Sequence, residues 1–101
     1  MVKYVNAAGL EELISTAKQP VFCDFWASWC GPCMMLSPIV EEIAKENPQI
    51  KVCKVNVDDE QELAIRFGIM TIPSLFVFKG GKVATQSVGA KTKAQILAML
   101  A

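Results

Sequence analysis

Apolar positions along this chain recur with two different spacings, and the alternation between them predicts its elements. Val21 to Trp26 is an almost unbroken apolar run, rich in aromatics, of the kind a strand buried on both faces requires. Before it, Val2 to Val5 reads as a short edge-like strand. Asn6 can then cap a helix in which Leu10, Leu13, Ile14 and Ala17 recur at helical spacing until Gln19-Pro20 breaks it. After it, a helix starting near Pro32 buries Cys33, Leu36, Ile39, Val40, Ile43 and Ala44. Its opposite face carries Ser37, Glu41, Glu42, Lys45 and Glu46. Pro38 lies inside this helix, where it removes the hydrogen bond to the Met34 carbonyl and should kink the axis.

Asn47-Pro48 ends that helix, and Lys51 to Val57 alternates as a strand does. Asp59 with Glu62 predicts a capping box for a short helix that Gly68 closes. Leu75 to Phe78 and Val83 to Val88 flank Gly80-Gly81, a two-residue hairpin signal. Thr92 with Gln95 caps a last helix that presents Ile96, Leu97 and Leu100. The order βαβαβαββα predicts an α/β fold, a mixed sheet with helices on both faces. Right-handed crossovers would make the first three strands parallel and the closing hairpin antiparallel.

Composition narrows the picture. A chain of 101 residues accommodates one core, so residues 1–101 are expected to form a single domain. With 52% hydrophobic residues that core needs no disulfide framework, although four cysteines are present. Ten basic and ten acidic residues cancel, which gives no argument for nucleic acid or a membrane surface as partner. The start, Met-Val-Lys-Tyr-Val-Asn, lacks the apolar stretch of a signal peptide, and no run approaches membrane-spanning length; a cytoplasmic location is expected. The absence of histidine excludes His-based zinc sites and any Cys-His or Ser-His nucleophile pair.

The chemistry concentrates where the central strand ends. Cys30-Gly31-Pro32-Cys33 places two thiols with two residues between them at a strand-to-helix junction, an arrangement suited to reversible disulfide formation. The helix start offers unpaired N–H groups and the positive end of its dipole, both of which favour a thiolate. Gly31 permits the tight turn, and Pro32 fits the first helical turn because its missing N–H leaves nothing unsatisfied. Cys30 is expected to be the exposed thiol and Cys33, one turn into the helix, the shielded one. Half of a zinc site is the rival reading, but Cys23 and Cys53 lie singly in strands and supply no second ligand pair, so no metal is expected. Period-two alternation instead puts Cys23 and Cys53 on the sheet face opposite Asp24 and Lys54, as buried, inert thiols. Asp24 is a carboxylic acid in the middle of an apolar strand. It reads either as a proton acceptor for Cys33 or as a structural partner of Lys54, and the two are compatible.

Asp24-Phe25-Trp26-Ala27-x-Trp29-Cys30-Gly31-Pro32-Cys33 resembles the active-site signature of the thioredoxin family. The likeness continues in Lys54-Val55-Asn56-Val57-Asp58, Arg66-Phe67-Gly68-Ile69, Ile72-Pro73 and Phe78-Lys79-Gly80-Gly81, in order over nearly the whole chain. The resemblance implies the thioredoxin fold, a five-stranded mixed sheet flanked by four helices, in a monomer that binds no cofactor. It implies a protein-disulfide reductase and dithiol carrier, with Cys30 as nucleophile, Cys33 as resolving thiol and Asp24 as proton acceptor tuned by Lys54. Disulfide-containing proteins and a dedicated thioredoxin reductase would be its partners. It also implies a cis Ile72–Pro73 bond in a loop facing the cysteines, where backbone groups meet an extended substrate segment. Trp29, Ile69, Ile72, Pro73 and Gly89 would form the surrounding apolar surface, with Trp26 bracing the loop from behind. Where relatives often carry basic residues this chain has Met34 and Met70, which with Met35 predict a softer, less positive rim. An oxidant or isomerase would be expected to carry a different dipeptide between the cysteines and a secretory signal. A vestigial binding module would not keep Asp24, Cys30, Cys33, Lys54 and Pro73 together.

Overall fold

The computed structural model describes residues 2–101. Its elements follow the expected order: β1 (Val2–Tyr4), α1 (Ala7–Thr16), β2 (Val21–Trp26), α2 (Gly31–Glu46), β3 (Lys51–Asn56), α3 (Gln61–Arg66), β4 (Ser74–Lys79), β5 (Lys82–Val88) and α4 (Lys93–Leu100). The strands form one mixed sheet in the order β1-β3-β2-β4-β5. β1 and β2 run parallel to β3, whereas β4 is antiparallel to both β2 and β5, as the crossover rule and the hairpin signal predict. This is the thioredoxin fold. The hairpin turns at Gly80 and Gly81, with φ of 59° and 80°, left-handed values that suit glycine.

Alternation along the strands feeds two different cores. One face sends Val21, Cys23, Phe25, Cys53, Val55, Phe76 and Phe78 toward Leu10 of α1 and Leu63 of α3. Phe25, Phe67, Phe76 and Phe78 meet there in an aromatic cluster, with Phe25 and Phe76 edge to face at 5.3 Å. The other face packs Phe22, Val52, Leu75 and Val77 under Leu36, Val40 and Ile43 of α2 and Ile96 of α4. Asp24 and Lys54, register partners on β2 and β3, share the parity of this second face.

Several local expectations hold. Asn6 caps α1 by accepting from the Gly9 N–H, and Thr92 with Gln95 forms a complete capping box on α4. Three others are corrected. The expected cap of α3 by Asp59 does not form. Glu60 takes the N-cap position without a side-chain cap bond, because its carboxylate instead accepts from the Ala7 N–H at 2.8 Å and ties α3 to α1. In α4, Leu97 faces solvent at 36% exposure, and Met99 joins Ile96 and Leu100 on the core. A short terminal helix has too few turns for its apolar stripe to be read to within one residue. Ser37, expected on the solvent face of α2, lies half-buried and hydrogen-bonded inside.

Cys23 and Cys53 sit directly opposite each other in the β2–β3 register, fully buried, and both remain free thiols. Burial pushes the Cys23 thiol well up, and the neighbouring Cys53 and Asp24 add to the effect, so it is a poor nucleophile. The folded, oxidised protein should therefore show no thiol reactive toward a thiol-titrating disulfide reagent, and both should appear in denaturant. Cys53→Ala should lower stability by about 1 kcal/mol, the transfer and cavity cost of one sulfur atom, read from the denaturant midpoint. Reaction in the folded state would show that this strand pair opens.

Candidate active site

The Cys30–Cys33 disulfide closes the junction between β2 and α2, with Cα atoms 5.2 Å apart. β2 ends at Trp26 because the chain must turn there. Cys30 becomes the N-cap of α2, with extended backbone, and its Sγ accepts from the Cys33 N–H at 3.2 Å. Gly31 and Pro32 fill the first helical positions, both exposed, so the missing proline N–H falls where an α-helix has no use for it. A thiolate at Cys30 would meet that N–H and the positive end of a 16-residue helix. The order of exposure is as expected but the contrast is small. Cys30 is itself only 5% exposed, against 0% for Cys33, because Ala27, Val57 and Ile72 close around it.

The loop between α3 and β4 supplies the facing wall. The Ile72–Pro73 bond is cis, and the Ile72 carbonyl oxygen lies 3.9 Å from Cys30 Sγ. Ser74, buried at the start of β4, donates from Oγ to the Thr71 carbonyl at 2.6 Å and ties this turn to the strand. Gly89 has φ of 91° and donates its N–H to the Pro73 carbonyl at 2.8 Å, which joins the end of β5 to the same loop. Trp29, Ile69 and Ile72 meet along a cleft of about 350 Å³. Val57, Gln61, Ala64, Ile65 and Met70 complete it; the only local sign of Ile65 was an unpartnered apolar residue on a short helix. The Trp29 indole N–H donates to Asp58 at 2.8 Å, which holds the exposed ring in place. Met34, Met35 and Met70 are 41%, 78% and 96% exposed, so the rim is apolar as expected.

In the middle of β2, on the sheet face that α2 covers, Asp24 is completely buried and neither carboxylate oxygen has a hydrogen-bond partner among the described residues. Burial pushes its carboxyl up to about 6, with the Lys54 ammonium pulling it back in part. The two side chains are register neighbours, but the direct ion pair considered for them is not formed. Lys54 Nζ donates to Ser37 Oγ at 2.9 Å and sits 4.7 Å over the Trp26 ring. Trp26 thus braces the junction from behind, edge to face with Tyr4 and under the Lys54 cation. Ser37 is the residue that sequence reasoning missed. It lies four positions after Cys33, at the margin of the buried stripe, and a short polar side chain there is the signal that was available.

The raised Asp24 carboxyl opposes stability. Its folded value of about 6 exceeds its ordinary 3.8, so ionisation favours the unfolded chain. That penalty is absent below about pH 4, grows as pH rises through the interval, and is constant above about pH 6. Asp24→Asn keeps the volume and removes the charge. It should stabilise the protein by about 3 kcal/mol at pH 7 and by little at pH 4. Denaturant melts at the two pH values test this, and a variant less stable at pH 7 would mean that Lys54 fully compensates the carboxylate.

The Cys30–Cys33 bond can accept and return a pair of electrons, and the strand that leads to it carries a buried carboxyl that changes protonation near neutrality. Comparison with known proteins agrees. The Thioredoxin family model matches residues 1–101. The thioredoxin of Pseudomonas aeruginosa is 41% identical over 97 residues, 95% of this chain and 90% of that protein. A bifunctional thioredoxin reductase/thioredoxin of Mycobacterium leprae is 42% identical over 97 residues, 95% of this chain but 21% of that longer protein. Among solved structures, a mutant thioredoxin from Halobacterium salinarum superposes with a TM-score of 0.91 at 33% identity, covering 98% of this chain and 87% of that one. Sequence, fold and the disulfide at the head of α2 thus converge, and the chain belongs to the thioredoxin family of disulfide oxidoreductases.

Proposed function

We propose that this protein is a dithiol carrier that reduces disulfides in other proteins and is recharged by a thioredoxin reductase. The observation that carries the reading is the Cys30–Cys33 disulfide at the first turn of α2, with the Cys33 N–H directed at Cys30 Sγ. In the reduced protein the Cys30 thiolate attacks one sulfur of a substrate disulfide. A Cys30–substrate bond forms, the substrate bond breaks, and one substrate thiolate leaves. Cys33 then gives its proton to the Asp24 carboxylate and attacks Cys30 Sγ. This closes the internal disulfide and releases the second substrate sulfur as a thiolate, so the substrate gains two electrons and the carrier loses them.

Asp24 suits that role because its carboxyl, at about 6, is ionised at neutral pH yet basic enough to take a proton. Lys54 tunes it through space. Pro32 fits the first turn of α2 beside Gly31, whose ordinary helical backbone does not require glycine, and Trp29, Ile69, Ile72, Pro73 and Gly89 form the surface on which an extended substrate segment lies. The longer relative that joins a thioredoxin to its reductase supports the reductase as partner. A cytoplasmic monomer of one domain, residues 1–101, belongs to the same reading. Its partners are proteins rather than nucleic acid, in keeping with a net charge of zero. No helix among the described residues is long and apolar enough to cross a membrane.

Reduction of insulin by a small dithiol, followed by turbidity, tests the reading. The wild-type protein should accelerate precipitation and Cys30→Ser should abolish the effect. Cys33→Ser should stop after one step and accumulate as a mixed disulfide visible by mass spectrometry. Asp24→Asn should turn over about tenfold or more slowly at pH 7. If Cys30→Ser trapped substrate and Cys33→Ser did not, the two roles would be reversed. An inert wild-type protein would overturn the function.

A further inference from the structure

Lys54 is the one buried cation among the described residues, 2% exposed, and its contacts are not those its charge alone would select. The β2–β3 register sets it directly beside Asp24, and strand alternation aims both side chains toward α2. Coulomb attraction in a buried site favours contact between them. Yet both Asp24 oxygens lack a hydrogen-bond partner among the described residues, while the ammonium donates to the neutral Ser37 hydroxyl at 2.9 Å. The same ammonium lies 4.7 Å over the Trp26 ring and 5.5 Å from the Tyr4 ring. A hydrogen-bond acceptor on the helix and two π faces on the sheet therefore form a cradle for the cation.

We propose that Ser37 is a positioning residue: with the ring face of Trp26 it holds the Lys54 ammonium off Asp24, and so keeps that carboxylate without a direct counter-charge. The role rests on the reading of Asp24 as the proton acceptor for Cys33. A carboxylate in contact with an ammonium is stabilised in its charged form and becomes a weak base. Held apart, Lys54 exerts only a through-space pull, and Asp24 stays basic enough to take the Cys33 proton. Ser37 is placed for this by helix geometry, four residues beyond Cys33, so the resolving thiol and the cradle hydroxyl stand on one side of α2 a turn apart.

The other groups around Asp24 leave Lys54 as the charge that matters. β4 presents its register partner Leu75. α2 contributes the Cys33 thiol once the disulfide is reduced, and its charged residues Glu41, Glu42, Lys45 and Glu46 are exposed. On α4, Ile96 is buried in this layer and Lys93 is paired with Glu42 and Glu46. From β1, Tyr4 reaches Lys54 with its ring.

The test follows the Asp24 carboxyl directly, in the full-length oxidised protein labelled with ¹³C at aspartate carboxyls. Ser37→Ala should release Lys54 toward Asp24 and lower the NMR titration midpoint by about one pH unit. Ser37→Thr retains a hydroxyl and should leave the midpoint at its wild-type position. Lys54→Met should raise it, and adding Ser37→Ala to Lys54→Met should change nothing further. An unchanged or raised midpoint in Ser37→Ala overturns the proposal, as does a shift that survives in the Lys54→Met background. The pH profile for resolution of the mixed disulfide should move with the NMR midpoint. If the midpoint moves and the rate profile does not, Ser37 still positions Lys54, and it is the role of Asp24 as proton acceptor that falls.

Discussion

The register of β2 between β3 and β4 is the constraint on which the other features depend. β2 is hydrogen-bonded on both sides, parallel to β3 and antiparallel to β4, and its alternating side chains supply both cores. A slip of one residue would exchange the faces, driving Asp24 into the aromatic cluster and Cys23 under α2. That alternative is costly twice over, since a carboxyl would be buried among the rings of Phe67, Phe76 and Phe78 while Phe25 left that cluster and Phe22 left the α2 layer. The apolar pattern thus pins the strand, and the strand's end fixes where Cys30 stands.

From that end the site is assembled out of backbone features more than side-chain networks. Cys30 is at once the last residue before α2 and its N-cap, so one sulfur position serves helix initiation and disulfide chemistry. The opposing wall depends on the Ser74 hydroxyl bonded to Thr71 and on the Gly89 N–H bonded to Pro73, contacts that hold a loop bearing no charged group of its own. Met34 and Met70 add no positive charge at the rim. On the proposed reading, stabilisation of a thiolate falls to the helix terminus, and partner recognition to adaptable apolar contact.

Between β2, β3 and α2 the protein keeps a buried carboxyl and a buried ammonium apart, an arrangement that stability alone would not select. Desolvation raises the Asp24 carboxyl, and the resulting penalty at neutral pH is tolerated because hydrophobic packing on both sheet faces is extensive. A tightly paired Asp24 would be better solvated by its neighbour but less able to exchange a proton. The conflict between stability and the proposed proton transfer is local to these side chains and leaves the sheet and helices undisturbed.

Much of this was determined by local sequence. The apolar run Val21–Trp26, the capping pairs Asn6–Gly9 and Thr92–Gln95, the Gly80-Gly81 turn and the Cys-Gly-Pro-Cys junction act over a few residues. They read correctly because alternation, capping and positive φ are short-range requirements. Alternation likewise separated Cys23 and Cys53 from Asp24 and Lys54. Tertiary structure decided what happens at the tips of side chains. Glu60 abandoned its helix cap for the Ala7 N–H, which is distant in sequence. Met99 displaced Leu97 from the core, and Cys30 was enclosed by loops that meet only in the folded chain. Lys54 found Ser37 and two ring faces instead of Asp24 because a long, flexible side chain selects among all polar groups within its reach. Periodicity assigns a residue to a face; which partner it meets there depends on how separate elements pack, and that is a property of the whole fold.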